Sequence, residues 1–526
     1  MSYNTYIGAR YIPIFDGDWD ITKDYEPLTV VSSEGNSYTS KTYVPRGADI
    51  KNEKYWTCSG NYNAQVESYR KETEKAIGKY NSLNIANVLD YGANNTGLLD
   101  STQGIINALE SDKPVIFFPS GTYITTARIS IPENKTIIGY GAKVVHIIND
   151  SSLFEITYSN VTIKGLEITR NTSKGRNDRN TSLILVHNTH ENTTQSNILI
   201  EDCYIHNADM YGINLQSSIP CRNIKIVNCT ITNVWVGIKN GGGVNNEHIA
   251  NCFISNTQAE CLTFDGDTRD NVVTGCTFKN NTDGVGCIGA DGSHRIKIIG
   301  CNFSNDIKVT SLTNGITFNR HIDTCTDYVI MGCNFHNLNY AIWCRKADET
   351  YNHHGISHIT VMGNEFDNNV TDVNIEYIGG NNEFKNIYTK SDKTAIFKID
   401  EENKYTILSR TKIDVPITIP VDSTMLSNGA RLIDDSAANY ITVVNGTFDV
   451  SLYIHPCTSP TPLLTLITLP IGNNRRFAVH ATNTGATTGN PIFAIYNNKN
   501  IGLGGNKISE LIDDSRVLIC ISGSIQ

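Results

Sequence analysis

Glu260 and Asp283 stand 23 residues apart in a chain whose text repeats at close to that interval. If the repeat is structural, the two carboxylates stack as neighbours about 5 Å apart. A pair that close should hold one proton between its members near neutral pH, with one pKa raised, and so supply both an acid and a base. Hydrolysis of a glycosidic bond needs such a pair. Asp265, on the same strand as Glu260, offers a third carboxylate for a wider, inverting-type arrangement if the chain turns it back. Lys239, Arg320 and Arg345 supply cations suited to an anionic glycan or a phosphate. Tyr340 and Trp343 offer flat faces to a sugar ring. Past the strand, Asp267, Asp291 and Asp323 form a second prospective acidic stack, with His294, Arg320 and His321 nearby.

This chemistry requires an element that brings successive repeats into register. Cys203, Cys229, Cys252, Cys276, Cys301 and Cys333 recur at steps of 26, 23, 24, 25 and 32 residues, and each is followed four residues later by asparagine. A seventh repeat puts Asn364 in place of the cysteine and keeps Asn368. A period of roughly 20–30 residues marks a solenoid. The text NIKIVNCTITN or RIKIIGCNFSN alternates apolar and polar residues, so the coils are β-strands. The cysteines are then a buried ladder of small side chains, and the asparagines a turn ladder that tolerates the left-handed backbone region.

The strand after each asparagine reads YGINLQ, VGIKNG, ECLTFD, DGVGCI, NGITFN, YAIWCR and TDVNIE. Aligned in that order, alternate positions point inward, among them Ile213, Ile238, Leu262, Val285, Ile316, Ile342 and Val373. The outward columns place Asp283 on Glu260, Gly286 on Thr263, and Ile288 on Asp265. Two coils carry insertions, near residues 306–313 and 346–354, where loops would wall a groove. The second holds Asp348, Glu349, His353 and His354, a weak metal signal. With no Cys-x-x-Cys pair in the chain, zinc is not expected, and the reading calls for no cofactor.

The 526 residues exceed one ordinary domain. A net charge of −10 argues against a nucleic-acid binder. The start, MSYNTYIGARYIPIF, lacks the pattern of an export signal, and no apolar run is long enough to insert in a membrane. Residues 1–62 are dense in aromatics and read as a small β module, in which Tyr11, Trp19, Tyr25, Tyr38, Tyr43, Tyr55 and Trp56 either stack on sugars or fill a small core. Residues 63–83 read as a helical neck with Val66, Tyr69, Thr73, Ala76, Ile77 and Tyr80 at helical spacing. Residues 84–395 are the solenoid, and 405–526 have the turn-separated strands of a β-sandwich.

The N-terminal text resembles chitin-binding-type modules of chitinases and phage tail proteins. Residues 87–141, with DYGA, an Asp before a short helix and a strand reaching FPSGTY, resemble the opening of pectate-lyase-like phage tailspikes. The resemblance spans about residues 84–390, and the C-terminal stretch is similar to the heads of tail fibres and baseplate proteins. It implies an all-β chain built on a right-handed parallel β-helix, a homotrimer carried on the virion, and attachment to a tail or baseplate protein through the N-terminal module. Its partner would be a bacterial surface polysaccharide or wall teichoic acid, cleaved by a glycoside hydrolase more readily than by a lyase; a non-catalytic adhesin is the rival reading. NTDG at 281–284 is similar to a polygalacturonase motif, but the companion paired-Asp and Gly-His-Gly motifs are missing at matching spacing. That family's mechanism is therefore not carried over.

Overall fold

The computed structural model describes residues 12–399, apart from 83, 149, 172–180, 191–192, 217–218, 280, 282–285, 308–312, 319–323, 347–355, 379–381, 386 and 391–396. Beyond 399 it describes the strands alone. The chain forms two compact units, Met1–Ile85 and Ala86–Gln526.

In the first unit the strands Ile14–Asp18, Thr29–Ser33, Asn36–Ser40 and Trp56–Asn61 form one sheet in that order. Its core is Tyr25, Val31, Val44, Ile50 and Trp56, with Tyr25 edge-on to Trp56 at 5.2 Å. Trp19, Tyr38 and Tyr55 pack against it, and Tyr43 is exposed. Most of the aromatics are thus used up in building a core that would otherwise be too small to hold. The helix Tyr62–Ser82 follows, with Val66 and Tyr69 exposed.

The second unit is a parallel β-solenoid. Each full coil gives one strand to a sheet of 13 strands and two to a sheet of 21. One coil runs Val272–Thr274, Thr277–Lys279, Ile288–Asp291, and each strand pairs in parallel with its equivalents before and after. At the N-terminal end the helix Thr102–Glu110 buries Ile105, Ala108 and Leu109 in the solenoid core. Asp100, the aspartate before this helix, accepts the Thr102 amide at 3.0 Å and so satisfies one of the helix's open donors. After the coils, strands between Ile417 and Ser524 form a mostly antiparallel sheet. No helix among the described residues is long and apolar enough to cross a membrane.

Equivalent residues recur one coil apart, so the interior is built of ladders. All six repeat cysteines are buried with free thiols. The Sγ of Cys252, Cys276 and Cys301 lie 3.5, 3.7 and 3.8 Å from carbonyl oxygens of the preceding coil. Asn364 continues this ladder by donating to Ile330 O and accepting from Cys333 N. Phe278, Phe303, Phe335 and Phe366 stack at 5.1, 4.7 and 5.1 Å.

Three columns of positive φ turn the chain at the corners. One is Asn207, Asn233, Asn256, Asn337 and Asn368, five of the asparagines read from the repeat; Asn305 does not join it, and Asn280 lies outside the described residues. Within it Asn233 donates to Asn207, and Asn368 to Asn337. A second, immediately before the cysteines, is Asp202, Asn228, Asn251, Gly275, Gly300, Gly332 and Gly363. The third runs through Asn134, Asn160, Asn197, Asn223, Asn246, Asp270, Arg295, Asp327 and His358. Glycine, asparagine and aspartate adopt this region at least cost, so most positions in these columns carry them.

Candidate active site

The outward columns of the face that follows the asparagine ladder hold as read from the sequence, except at one coil. Ile213 pairs with Ile238, Ile238 with Leu262, Ile288 with Ile316, and Ile342 with Val373. Leu262, however, pairs with Ile288, not with Val285. The alignment of DGVGCI on ECLTFD is three residues out. Eight residues separate Lys279 from Ile288, against six between Ser255 and Leu262, so this turn is longer than its predecessor.

The correction rearranges the carboxylates. Asp265 pairs with Asp291, where the sequence reading put Ile288. The prospective Glu260–Asp283 stack does not follow from this register, and Asp283 itself lies outside the described residues. Nor does Asp291 stack on Asp267, which is exposed and ion-pairs with Arg269 in the turn. Arg320, His321 and Asp323, and most of both long loops, also lie outside the described residues.

Parallel neighbours sit about 4.8 Å apart, so the Asp265 and Asp291 side chains leave adjacent strands side by side. Asp291 is buried at 6 % exposure. Asp265 is half-buried and accepts an ion pair from Lys239 Nζ at 2.9 Å, on the coil before. Burial works to lower the Lys239 pKa, but the Asp265 carboxylate beside it prevails and holds it above its ordinary value. Lys239 also lies 5.8 Å from the centre of the Tyr211 ring.

Glu260 enters this group from the other end of the strand. The outward position after Thr263 is Gly289, and a Cβ built there would lie 3.1 Å from Glu260 Cγ and 3.3 Å from its Oε1. The Glu260 side chain therefore leans onto the next coil, over a residue with no side chain of its own. Gly289 is two residues before Asp291, roughly 6.5 Å by strand rise. Glu260 and Asp291 therefore lie on either side of Gly289, whose backbone is the floor between them. Thr263 and Thr317 flank this floor in the same column and are buried although they point outward. Apolar Met210, Tyr211, Val236 and Ala259 form a separate cluster beside Glu260.

Further along the face, Tyr340 and Trp343 lie 5.2 Å apart between ring centres, and the Arg345 guanidinium stacks 5.3 Å from the Trp343 ring. Trp343 Nε1 donates to Glu376 at 2.9 Å, which fixes the ring plane. The three residues singled out from the sequence thus form one cluster, and Glu376 is the anchor the sequence reading missed. The Asp265–Asp291 pair was legible only with the correct turn length. Gly289 carried no signal, because its value lies in what is absent.

Residues 191–321 match the family model described as the right-handed beta helix region. No curated protein sequence matches the chain. Among solved structures, the Dettilon tailspike protein gp208 aligns with 84 % of this chain and 94 % of its own length at 14 % identity and a TM-score of 0.55. The enzymatically active domain of bacteriophage CBA120 tailspike protein 2 aligns at 12 % identity over 96 % of this chain and 78 % of its own, with a TM-score of 0.43. Polygalacturonase from Erwinia carotovora ssp. carotovora aligns at 13 % identity over 59 % of this chain and 93 % of its own, with a TM-score of 0.45. The ladders, the family match and the gp208 superposition together make this chain a right-handed parallel β-helix, the fold it shares with the gp208 tailspike protein.

Proposed function

We propose that this chain is a phage tail spike that binds a bacterial surface glycan and hydrolyses it in the groove holding Glu260, Asp265 and Asp291. The observation that carries the reading is the in-register Asp265–Asp291 pair, backed by Lys239 and facing Glu260 across Gly289. Two adjacent carboxylates hold one proton more readily than they lose both. Asp265 is taken up by its ion pair with Lys239, which leaves Asp291 as the general acid toward the leaving oxygen. Glu260, across Gly289, is the general base. With no side chain at Gly289 between them, there is room for a water between base and sugar, the arrangement that single-displacement, inverting hydrolysis uses. Trp343, with Tyr340 and Arg345, is the sugar platform.

β-Elimination fits less well. It would require a base such as Lys239 to be neutral, and Lys239 is held on the protonated side by Asp265. His321, another prospective base, lies outside the described residues. Attachment to the tail or baseplate through the N-terminal unit, homotrimer assembly and wall teichoic acid as an alternative polymer belong to the same proposal, on the resemblance to tailspikes.

The test is incubation with capsular polysaccharide, exopolysaccharide and teichoic acid from candidate hosts, following polymer size, reducing ends and anomeric configuration by NMR. Falling size with new reducing ends of inverted configuration is expected. Unsaturated uronate absorbance would establish a lyase instead, and binding without any loss of size would establish an adhesin.

A further inference from the structure

The third column of positive φ changes character part-way along the solenoid. Its first five residues are asparagines, and the amides of the first four bond in series: Asn160 Nδ2 and Asn197 Nδ2 each donate at 2.9 Å to the asparagine before, and Asn223 donates to Asn197. The column then becomes Asp270, Arg295, Asp327 and His358. Arginine has no local backbone bond to favour φ of 55°, where asparagine does. A residue held in a disfavoured conformation while a cheaper one serves the same turn elsewhere points to a role outside the turn.

Arg295 is fixed there by a forked ion pair, Nε to Asp270 Oδ1 at 2.5 Å and Nη2 to Oδ2 at 2.8 Å. Asp327 follows on the next coil. Asp270, Arg295, Asp327, Val272 and Lys297 line an open depression of about 390 Å³. The first four of these residues are exposed or half-buried, and Lys297 is exposed as well. Asp270 and Arg295 lie only a few residues past Asp265 and Asp291 on the same two coils, around the corner from the groove.

The lining selects its ligand by elimination. A polyanion would meet Asp270 and Asp327, and a polycation would meet Arg295 and Lys297. Alternating acceptors and donors around one aliphatic patch suit a neutral ligand rich in hydroxyls with a C–H face, and the volume falls in the range of small-ligand sites. We propose that this depression is a second saccharide-binding site, separate from the hydrolytic groove, which holds another stretch of the same polymer. Its ligand class rests on the glycan reading above, but its test does not depend on catalysis.

The probe is an array of bacterial surface oligosaccharides, with Glu260→Gln as the background so that bound glycan stays intact. Arg295→Asn with Asp327→Asn restores the residue type of the column's first half, so folding is preserved, as a melting curve will check. At least a tenfold loss of affinity for the glycans held by the background variant is expected. In the otherwise wild-type protein, the same double change should leave turnover of short fragments unaltered and slow that of long polymer. Equal affinity with and without the double change would overturn the proposal, as would a background variant that holds no glycan on the array. Failure of the wild-type protein to cleave any polymer would overturn the hydrolase reading alone, because the affinity comparison is read without turnover.

Discussion

At the residue scale, the site depends on which groups share a proton and how much room separates them. Asn at Asp291 or Gln at Glu260 removes the acid or the base, and each should lower kcat by about 10²–10⁴-fold, measured as reducing ends released per protein. Asp265→Asn should cost less and act differently. Without that carboxylate, Lys239 loses the partner that holds its pKa up, so the alkaline limb of the kcat–pH profile should move to lower pH. An unmoved limb would separate Asp265 from the proton inventory. Gly289→Ala tests the gap itself. The added carbon would lie 3.1 Å from Glu260 Cγ and 3.3 Å from Oε1, so the carboxylate must move. The position requires no positive φ, so turnover should fall at least tenfold with little change in melting temperature, as paired rate and melting measurements would show.

At the element scale, ladders make each coil depend on its neighbours. Phe303 sits between two stacked rings, fully buried, and Phe303→Ala should cost about 3–5 kcal/mol in denaturant unfolding. Glu247 is a second interior feature. Its side chain is enclosed within the coil, with Asn240 Nδ2 donating to it at 2.7 Å. Burial pushes its pKa up to about 8, against the Asn240 hydrogen bond that pulls it down. The folded chain therefore keeps a proton that the unfolded chain loses near pH 4.5. Stability falls as pH rises from about 4.5 to about 8, by at most about 1.4 kcal/mol per unit, and levels off above. Glu247→Gln should flatten that stretch, read by urea melts at pH 5, 6.5 and 8.

The elements also show how far a sequence reading reaches. Cysteine and asparagine spacing gave the repeat, the strand faces and six of the seven outward rows, because those residues occupy invariant corners of each coil. The failure came at the turn between Lys279 and Ile288. Turn length does not repeat in a solenoid, since loops on its edge face solvent and tolerate insertion. Reading straight through that turn put Asp283 on Glu260 and set Asp291 against Asp267 instead of Asp265. The aromatic-rich N-terminal text was ambiguous for a related reason: composition alone does not distinguish a Trp56 in the core from one on the surface.

At the scale of the whole molecule, two units are joined in one chain, and the long one is held by packing. The twelve cysteines from Cys58 to Cys344 all have free thiols, so a reducing agent should leave the melting temperature of the solenoid unchanged. A fall of several degrees on adding dithiothreitol would contradict this. The proposed assembly is tested by light scattering on the eluting peak, where three times the chain mass is expected and a single chain mass would refute it.

Period, strand character, buried cysteines and the outward face were set by the sequence itself, since side-chain alternation and corner residues are local properties that repeat with every coil. Which carboxylates meet, that Glu260 leans over Gly289, and that an arginine takes an asparagine's place at a corner were decided only when the chain closed each coil on the last. Contact across coils depends on the number of residues in the turns between strands, and no local preference encodes that count.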